Sequence, residues 1–186
     1  MSIRKETEMN AYSVKWRRIG SILLAALAVG TAAASGNIDP TNKHAWAENT
    51  GWVNFAPTDG GVTVVLGDAG GFLSGYAWAE NIGWIKLGNT NGGPYLNTSA
   101  TDWGVNVADS GALEGYAWSE NGGWINFHPT GSQVTIDRQT GSFDGYAWGE
   151  NLGWIHVRGT NEPASPAYYN IQTTAMFSRG TVFMLR

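Results

Sequence analysis

Four glutamates in this chain stand in the same company: Glu48, Glu80, Glu120 and Glu150 each follow a tryptophan by two residues, precede another by four, and are followed directly by asparagine. Two chemistries suit such residues. Paired carboxylates about 5 Å apart cleave glycosides with retention. Tryptophan faces beside carboxylates and amides instead bind sugars, with the rings against C–H surfaces and the polar groups on hydroxyls. Repetition argues against catalysis, because an active site is one constellation and four equivalent glutamates imply a repeated duty. In Glu-Asn-x-Gly that duty is a turn, in which Asn takes positive φ, Gly closes and Glu bonds turn amides. The candidate binding set is therefore the second tryptophan of each copy, Trp52, Trp84, Trp124 and Trp154, with the four glutamates. A hydrolase using one Glu with one Asp ranks last, since no pair is singled out.

Other chemistry is thin. His44, His128 and His156 lack zinc-ligand spacing, and no nucleophile elbow, phosphate loop or dinucleotide fingerprint occurs. No cofactor is expected. Calcium is the one metal worth weighing, because Asp68, Asp109, Glu114, Asp137 and Asp144 lie in glycine-rich turns, yet neither a twelve-residue calcium loop nor a nonapeptide repeat is present.

The elements that must hold these residues repeat. Segments 44–55, 76–87, 116–127 and 146–157 align without gaps on Ala-Trp, Glu-Asn and Gly-Trp. Ahead of three of them lies a β-branched run, Val62-Thr63-Val64, Val105-Asn106-Val107 or Val134-Thr135-Ile136, then an Asp/Gly turn and Leu73, Leu113 or Phe143. Alternating β-branched runs bounded by Gly and Asp read as strands. The expected fold is all-β and antiparallel, with tandem three-stranded units of about 30 to 40 residues in one sheet-rich domain. An elongated stack, a closed prism and a sandwich all suit this spacing. The first copy lacks a leading strand and has His44 where the others have tyrosine. The link 88–102 partly resembles 166–173, and Thr181-Val182-Phe183-Met184-Leu185 reads as a closing strand.

A two- or four-residue turn fixes a register in which Trp78 faces Ile85 and Ala79 faces Trp84. One face then carries Tyr76, Trp78, Ile85 and Leu87, and likewise in the other copies, while Trp84 and Lys86 share the opposite face. Burying a tryptophan removes up to about 200 Å² from water, roughly 5 kcal/mol gross, against a net stability of about 5 to 15 kcal/mol. Trp46, Trp78, Trp118 and Trp148 are therefore expected in the core. An odd loop length reverses the assignment.

Residues 1–36 differ from the rest. Arg4, Lys5, Lys15, Arg17 and Arg18 precede an apolar run over 19–34 rich in Ala, Leu and Gly, shorter than the roughly 20 residues of a bilayer-spanning helix. This reads as a cleaved secretory signal ahead of a single domain over 37–186, placing the protein outside the cell, in a periplasm or on a surface, without membrane insertion after cleavage. Of 11 basic and 15 acidic residues, 6 and 13 follow the leader, so the formal charge moves from −4 to −7. That charge disfavours nucleic acid. With no cysteine, no disulfide staples the fold.

The runs Gly115-Tyr116-Ala117-Trp118-Ser119-Glu120-Asn121-Gly122-Gly123-Trp124-Ile125-Asn126-Phe127 and Asn97-Thr98-Ser99-Ala100-Thr101-Asp102-Trp103-Gly104-Val105-Asn106 resemble exported bacterial proteins with Gly-Tyr-Ala-Trp-Ser-Glu-Asn-x-Gly-Trp repeats. The resemblance implies bacterial export and the repeat, and no activity. The leading expectation is a non-enzymatic extracellular or cell-surface protein, structural or adhesive, that associates with itself by strand addition. The alternative is a carbohydrate-binding protein that uses the repeated tryptophans on surface glycans.

Overall fold

The computed structural model describes residues 36–67, 70–89, 92–159 and 168–175. The expected leader and the strand expected at 181–185 lie outside them. The strands are β1 (Ile38–Ala47), β2 (Gly51–Asn54), β3 (Gly61–Gly67), β4 (Gly70–Ala79), β5 (Gly83–Lys86), β6 (Val105–Val107) and β7 (Leu113–Ser119). They continue with β8 (Gly123–Asn126), β9 (Thr135–Ile136), β10 (Phe143–Asp144), β11 (Tyr146–Gly149), β12 (Gly153–His156), β13 (Arg158–Gly159) and β14 (Tyr169–Thr173). The fold is all-β and antiparallel, as the alternation and the turn residues required. The expected three-stranded units do not stand apart: β6 pairs with both β4 and β7, and twelve strands merge into one sheet beside the β9–β10 hairpin.

The repeated motifs form the hairpins β1–β2, β4–β5, β7–β8 and β11–β12. Each pairs with the next, β2 with β4, β5 with β7 and β8 with β11, and β12 returns to β1. Eight short strands therefore close into a ring, whose interior is just wide enough for side chains to fill.

The register inside each hairpin corrects the expected one. Ala79 pairs with Gly83, leaving a three-residue loop, so Trp78 lies opposite Trp84 and Ala77 opposite Ile85. The other three hairpins share this pairing. The cause is the closing glycine: Gly51, Gly83, Gly123 and Gly153 sit at φ +77°, +77°, +74° and +70°. A turn followed by a left-handed glycine is the usual three-residue hairpin loop. No turn asparagine has positive φ; among the described residues Asn97 is the only non-glycine that does.

An odd loop turns the small residues inward. Ala77, Ala79, Ile85 and Leu87 of one hairpin are buried, as are Ala45, Ala47, Val53 and Phe55 of another. Both tryptophans of every hairpin face outward instead, which overturns the core assignment of Trp46, Trp78, Trp118 and Trp148. The interior of an eight-stranded ring takes alanine opposite isoleucine and has no room for indoles. The third loop residue of each hairpin, Thr50, Ile82, Gly122 or Leu152, is buried at one end of the ring. A Cβ added at Gly122 would lie 2.7 Å from Ile82 Cδ1 and 2.8 Å from Leu152 Cδ1, so two large side chains from opposite hairpins meet over a glycine. Alternating large and small residues fit the taper of a small barrel.

Asparagines link the loops. Asn81 Nδ2 donates to the Thr50 carbonyl at 2.9 Å, Asn121 Nδ2 to Ile82 at 3.1 Å, and Asn151 Nδ2 to Gly122 at 3.4 Å. The Asn49 backbone N–H, donating to the Leu152 carbonyl at 3.1 Å, completes the circuit.

A second tier continues from the other end. β3, the first half of β4, β6 and the first half of β7 pair in series. The Ala112–Thr135 and Ser142–Gln172 bridges join β7 to β9 and the segment before β10 to β14. β14 pairs with β1, supplying the leading strand that the first copy lacks, with Ile171-Gln172-Thr173 in the place of Val62-Thr63-Val64. Asn37 bonds Val64 through its side chain and accepts the Thr174 amide at 2.8 Å, closing this tier.

Candidate functional site

The outward residues of the ring form an aromatic belt. Within hairpins the tryptophans meet edge to face, with centroids 5.0 Å apart for Trp46–Trp52, 4.9 Å for Trp78–Trp84, 4.7 Å for Trp118–Trp124 and 5.0 Å for Trp148–Trp154. Such pairs contribute about 0.5 to 1.5 kcal/mol beyond area burial. His44, Tyr76, Tyr116 and Tyr146 each add a further ring against the second tryptophan, at 5.8 to 6.2 Å. Much surface remains open: Trp84 and Trp124 are 40% and 42% exposed, and Trp78 and Trp148 are 38% exposed. Trp52 and Trp154 are part-buried.

Where one hairpin meets the next, pairing makes a checkerboard. Asn54 lies opposite Trp78, and Trp52 lies opposite Glu80, whose N–H donates to the Trp52 carbonyl at 3.3 Å. Two tryptophans thus occupy one diagonal, an amide and a carboxylate the other. Asn126 opposite Trp148 repeats this register. At the remaining junctions Lys86 lies opposite Trp118 and His156 opposite Trp46.

All four predicted glutamates are exposed as the first residue of their three-residue turns, where the register across each junction sets them beside the second tryptophan of the preceding hairpin. Glu48 is the tethered one, its Oε2 accepting the Trp154 N–H at 3.3 Å. The predicted set is therefore spread around the ring, one Trp–Glu combination at each junction. The sequence reading missed the first tryptophans as partners and left Asn54 and Asn126, which share a face with Trp52 and Trp124, out of the candidate set. It also missed Tyr169 and Trp103, which approach Trp52 and Trp124 edge-on with centroids 5.2 Å apart. Tyr169 lies in the tail noted as like the link 88–102, which was the available signal for it, whereas Trp103 lies just beyond that link.

A cleft of about 410 Å³ opens over the first junction, lined by His44, Trp52, Asn54, Trp78, Glu80, Tyr168 and Tyr169. This is large enough for a small ligand. Burial and the neighbouring Lys43 hold His44 below its ordinary value of 6.5, against an opposing pull from Glu80. The cleft therefore carries a neutral imidazole near pH 7. Another cleft, about 450 Å³, lies between Tyr116, Trp124, Trp103 and residues 97–100.

Three of the carboxylates considered for calcium have other partners, and Glu114 is exposed on β7. Asp109 and Asp144 face Arg138 and Arg158 at 3.3 and 3.6 Å, and Asp137 accepts from the amides of Gln139 and Thr140 and the Thr140 hydroxyl. Those bonds, from Thr140 above all, hold Asp137 below its usual carboxylate value. Asp68 lies outside the described residues, among which no three acidic or histidine side chains gather as a metal site.

No protein-family model matches the chain, and no curated protein or solved structure shows a significant match to it.

Proposed function

We propose that this is a non-catalytic carbohydrate-binding protein acting outside the cytoplasm, which adheres to glycans through its aromatic belt. The observation that carries this reading is the first junction. There Trp52 and Trp78 alternate with the Asn54 amide and the Glu80 carboxylate on the wall of a cleft of about 410 Å³. Indole faces suit the C–H surface of a sugar ring, and an amide donor beside a carboxylate acceptor suits neighbouring hydroxyls. Glutamate recurs at every junction, which favours binding over a reaction that needs one distinct pair. Self-association by strand addition loses ground, because each of the eight hairpin strands already has a neighbour on both sides.

Titration of the protein with cellotetraose, maltotetraose, mannotetraose and N-acetylchitotetraose tests the reading, with intrinsic tryptophan fluorescence and calorimetry as readouts. At least one sugar is expected to bind, and Trp78→Ala to weaken binding at the first junction at least tenfold while far-UV circular dichroism stays native. Absence of binding across the four sugars sinks the proposal.

A further inference from the structure

The four junctions are not equal, and the chain makes two of them alike. After the first and third hairpins it repeats a motif, Asn54-Phe55-Ala56-Pro57-Thr58 and Asn126-Phe127-His128-Pro129-Thr130. In both, the asparagine is held by its own backbone: Asn54 Oδ1 accepts the Ala56 N–H and Asn126 Oδ1 accepts the His128 N–H, each at 2.9 Å. With the acceptor half engaged, the amide offers a ligand its donor half. Each junction also starts from a tryptophan backed by a ring from a distant segment, Tyr169 behind Trp52 and Trp103 behind Trp124, at 5.2 Å and nearly perpendicular in both. The first cleft lies on Trp52, Asn54, Trp78 and Glu80 together, whereas the second touches Trp124 on its Trp103 and Tyr116 side, so the likeness of the two junctions rests on the motif, the asparagine and the backing ring.

At the other two junctions the residues that stand in place of the asparagines are engaged internally, while Glu120 stays exposed. Lys86 Nζ sits 5.9 Å from the ring centres of both Tyr76 and Trp103. His156 stacks on Tyr146 at 4.0 Å, its Nδ1 lies 3.2 Å from the Tyr169 hydroxyl, and Glu48 at that junction is tied to the Trp154 N–H. In a ring of four hairpins the first–second and third–fourth junctions lie on opposite sides.

We propose that the protein is bivalent, with one sugar site at Trp52, Asn54, Trp78 and Glu80 and an equivalent one at Trp124, Asn126, Trp148 and Glu150. Each takes a neutral sugar unit, its apolar face on indole, one hydroxyl accepting from the asparagine amide and another donating to the glutamate. Two sites on opposite sides cannot serve one short oligosaccharide, so the device cross-links separate glycan chains. This inference rests on the sugar-binding reading.

Calorimetry with the tightest-binding of the four tetrasaccharides decides it, using wild type, Asn54→Ala/Glu80→Gln, Asn126→Ala/Glu150→Gln, and the fourfold variant. The expected stoichiometries are two, one, one and none per chain. Sites that remain should keep their affinity within about threefold, while agglutination of beads coated with that sugar is lost in every variant. Chemical shifts confined to one junction in each variant confirm that the fold is kept. A wild-type stoichiometry of one or four, or binding unchanged in both paired variants, overturns bivalency while leaving sugar binding intact. Absence of binding in wild type overturns both.

Discussion

Asn37 holds Val64 by both halves of its amide: Nδ2 donates to the Val64 carbonyl and Oδ1 accepts from the Val64 N–H, each at 2.7 Å. A side chain thus replaces a strand between β3 and the start of β1, where the second tier lacks a backbone ladder among the described residues. Both Val64 groups lie beside the core. Asn37→Ala is expected to leave them unpaired and to cost about 1 to 3 kcal/mol. In urea the midpoint should fall with the slope unchanged. A midpoint equal to wild type would show that closure does not depend on this amide.

The plug at the loop end makes a different forecast. Gly122→Ala brings a methyl against Ile82 Cδ1 and Leu152 Cδ1, and such overpacking costs about 1 to 3 kcal/mol. Ile82→Val removes one of those atoms. The double variant should recover about 1 kcal/mol relative to the sum of the two, and simple additivity would refute the contact. Beside them Thr50 Oγ1 is buried without a hydrogen-bond partner among the described residues. Thr50→Val should therefore be neutral or stabilising by about 1 kcal/mol.

The two faces of the hairpins can be told apart by exchanging one residue on each. Ala77 is fully buried, so Ala77→Leu should destabilise by about 1 to 3 kcal/mol or more. Trp78, 38% exposed, should tolerate tyrosine within about 1 kcal/mol. Urea melts rank the two. Native fluorescence should also be quenched readily by acrylamide. The opposite ranking, with shielded fluorescence, would restore the register in which indoles are core.

Acidification should weaken the fold in two stages. Because His44 titrates below 6.5 when folded, its contribution is complete above that value and is lost as pH falls through the lowered one. Asp137 acts in the same direction further down, present above its ordinary 3.8 and lost as pH falls through its depressed folded value. His44→Tyr, which installs the residue of the other three copies, should flatten the fall in Tm between about pH 7 and 5. An equally steep fall in that variant would rule His44 out as its source.

How far the molecule was legible depended on which interactions are local. Val62-Thr63-Val64 and its counterparts, flanked by Gly and Asp, announced strands, and the four-copy alignment announced the hairpins. The register was lost at one residue, the glycine after Glu-Asn-x, whose left-handed backbone makes the loop odd and inverts both faces. Ala45 with Ala47 and Ala77 with Ala79 carried the same message, small residues at every second position facing a narrow interior, but the size of the tryptophans drew attention the other way. The second tryptophans and the glutamates were found, whereas Trp78 was not joined to Trp52 and Asn54, because that pairing crosses from one repeat to the next. Least readable was the partner of the first copy, since Ile171-Gln172-Thr173 lies at the far end of the sequence from the strand it completes.

That distance governs how the molecule is made. The Thr173 hydroxyl donates to the Asn37 carbonyl across 136 residues, and β1 waits for both β12 and β14 before its sides are covered. A chain emerging amino end first holds its earliest strand unfinished until more than a hundred further residues have been made, and such non-local pairing is slow to form. Assembly of the second tier is therefore decided by its last latch: the indole belt can close once β12 reaches β1, but until residues 169–173 arrive the tier beneath it stays open.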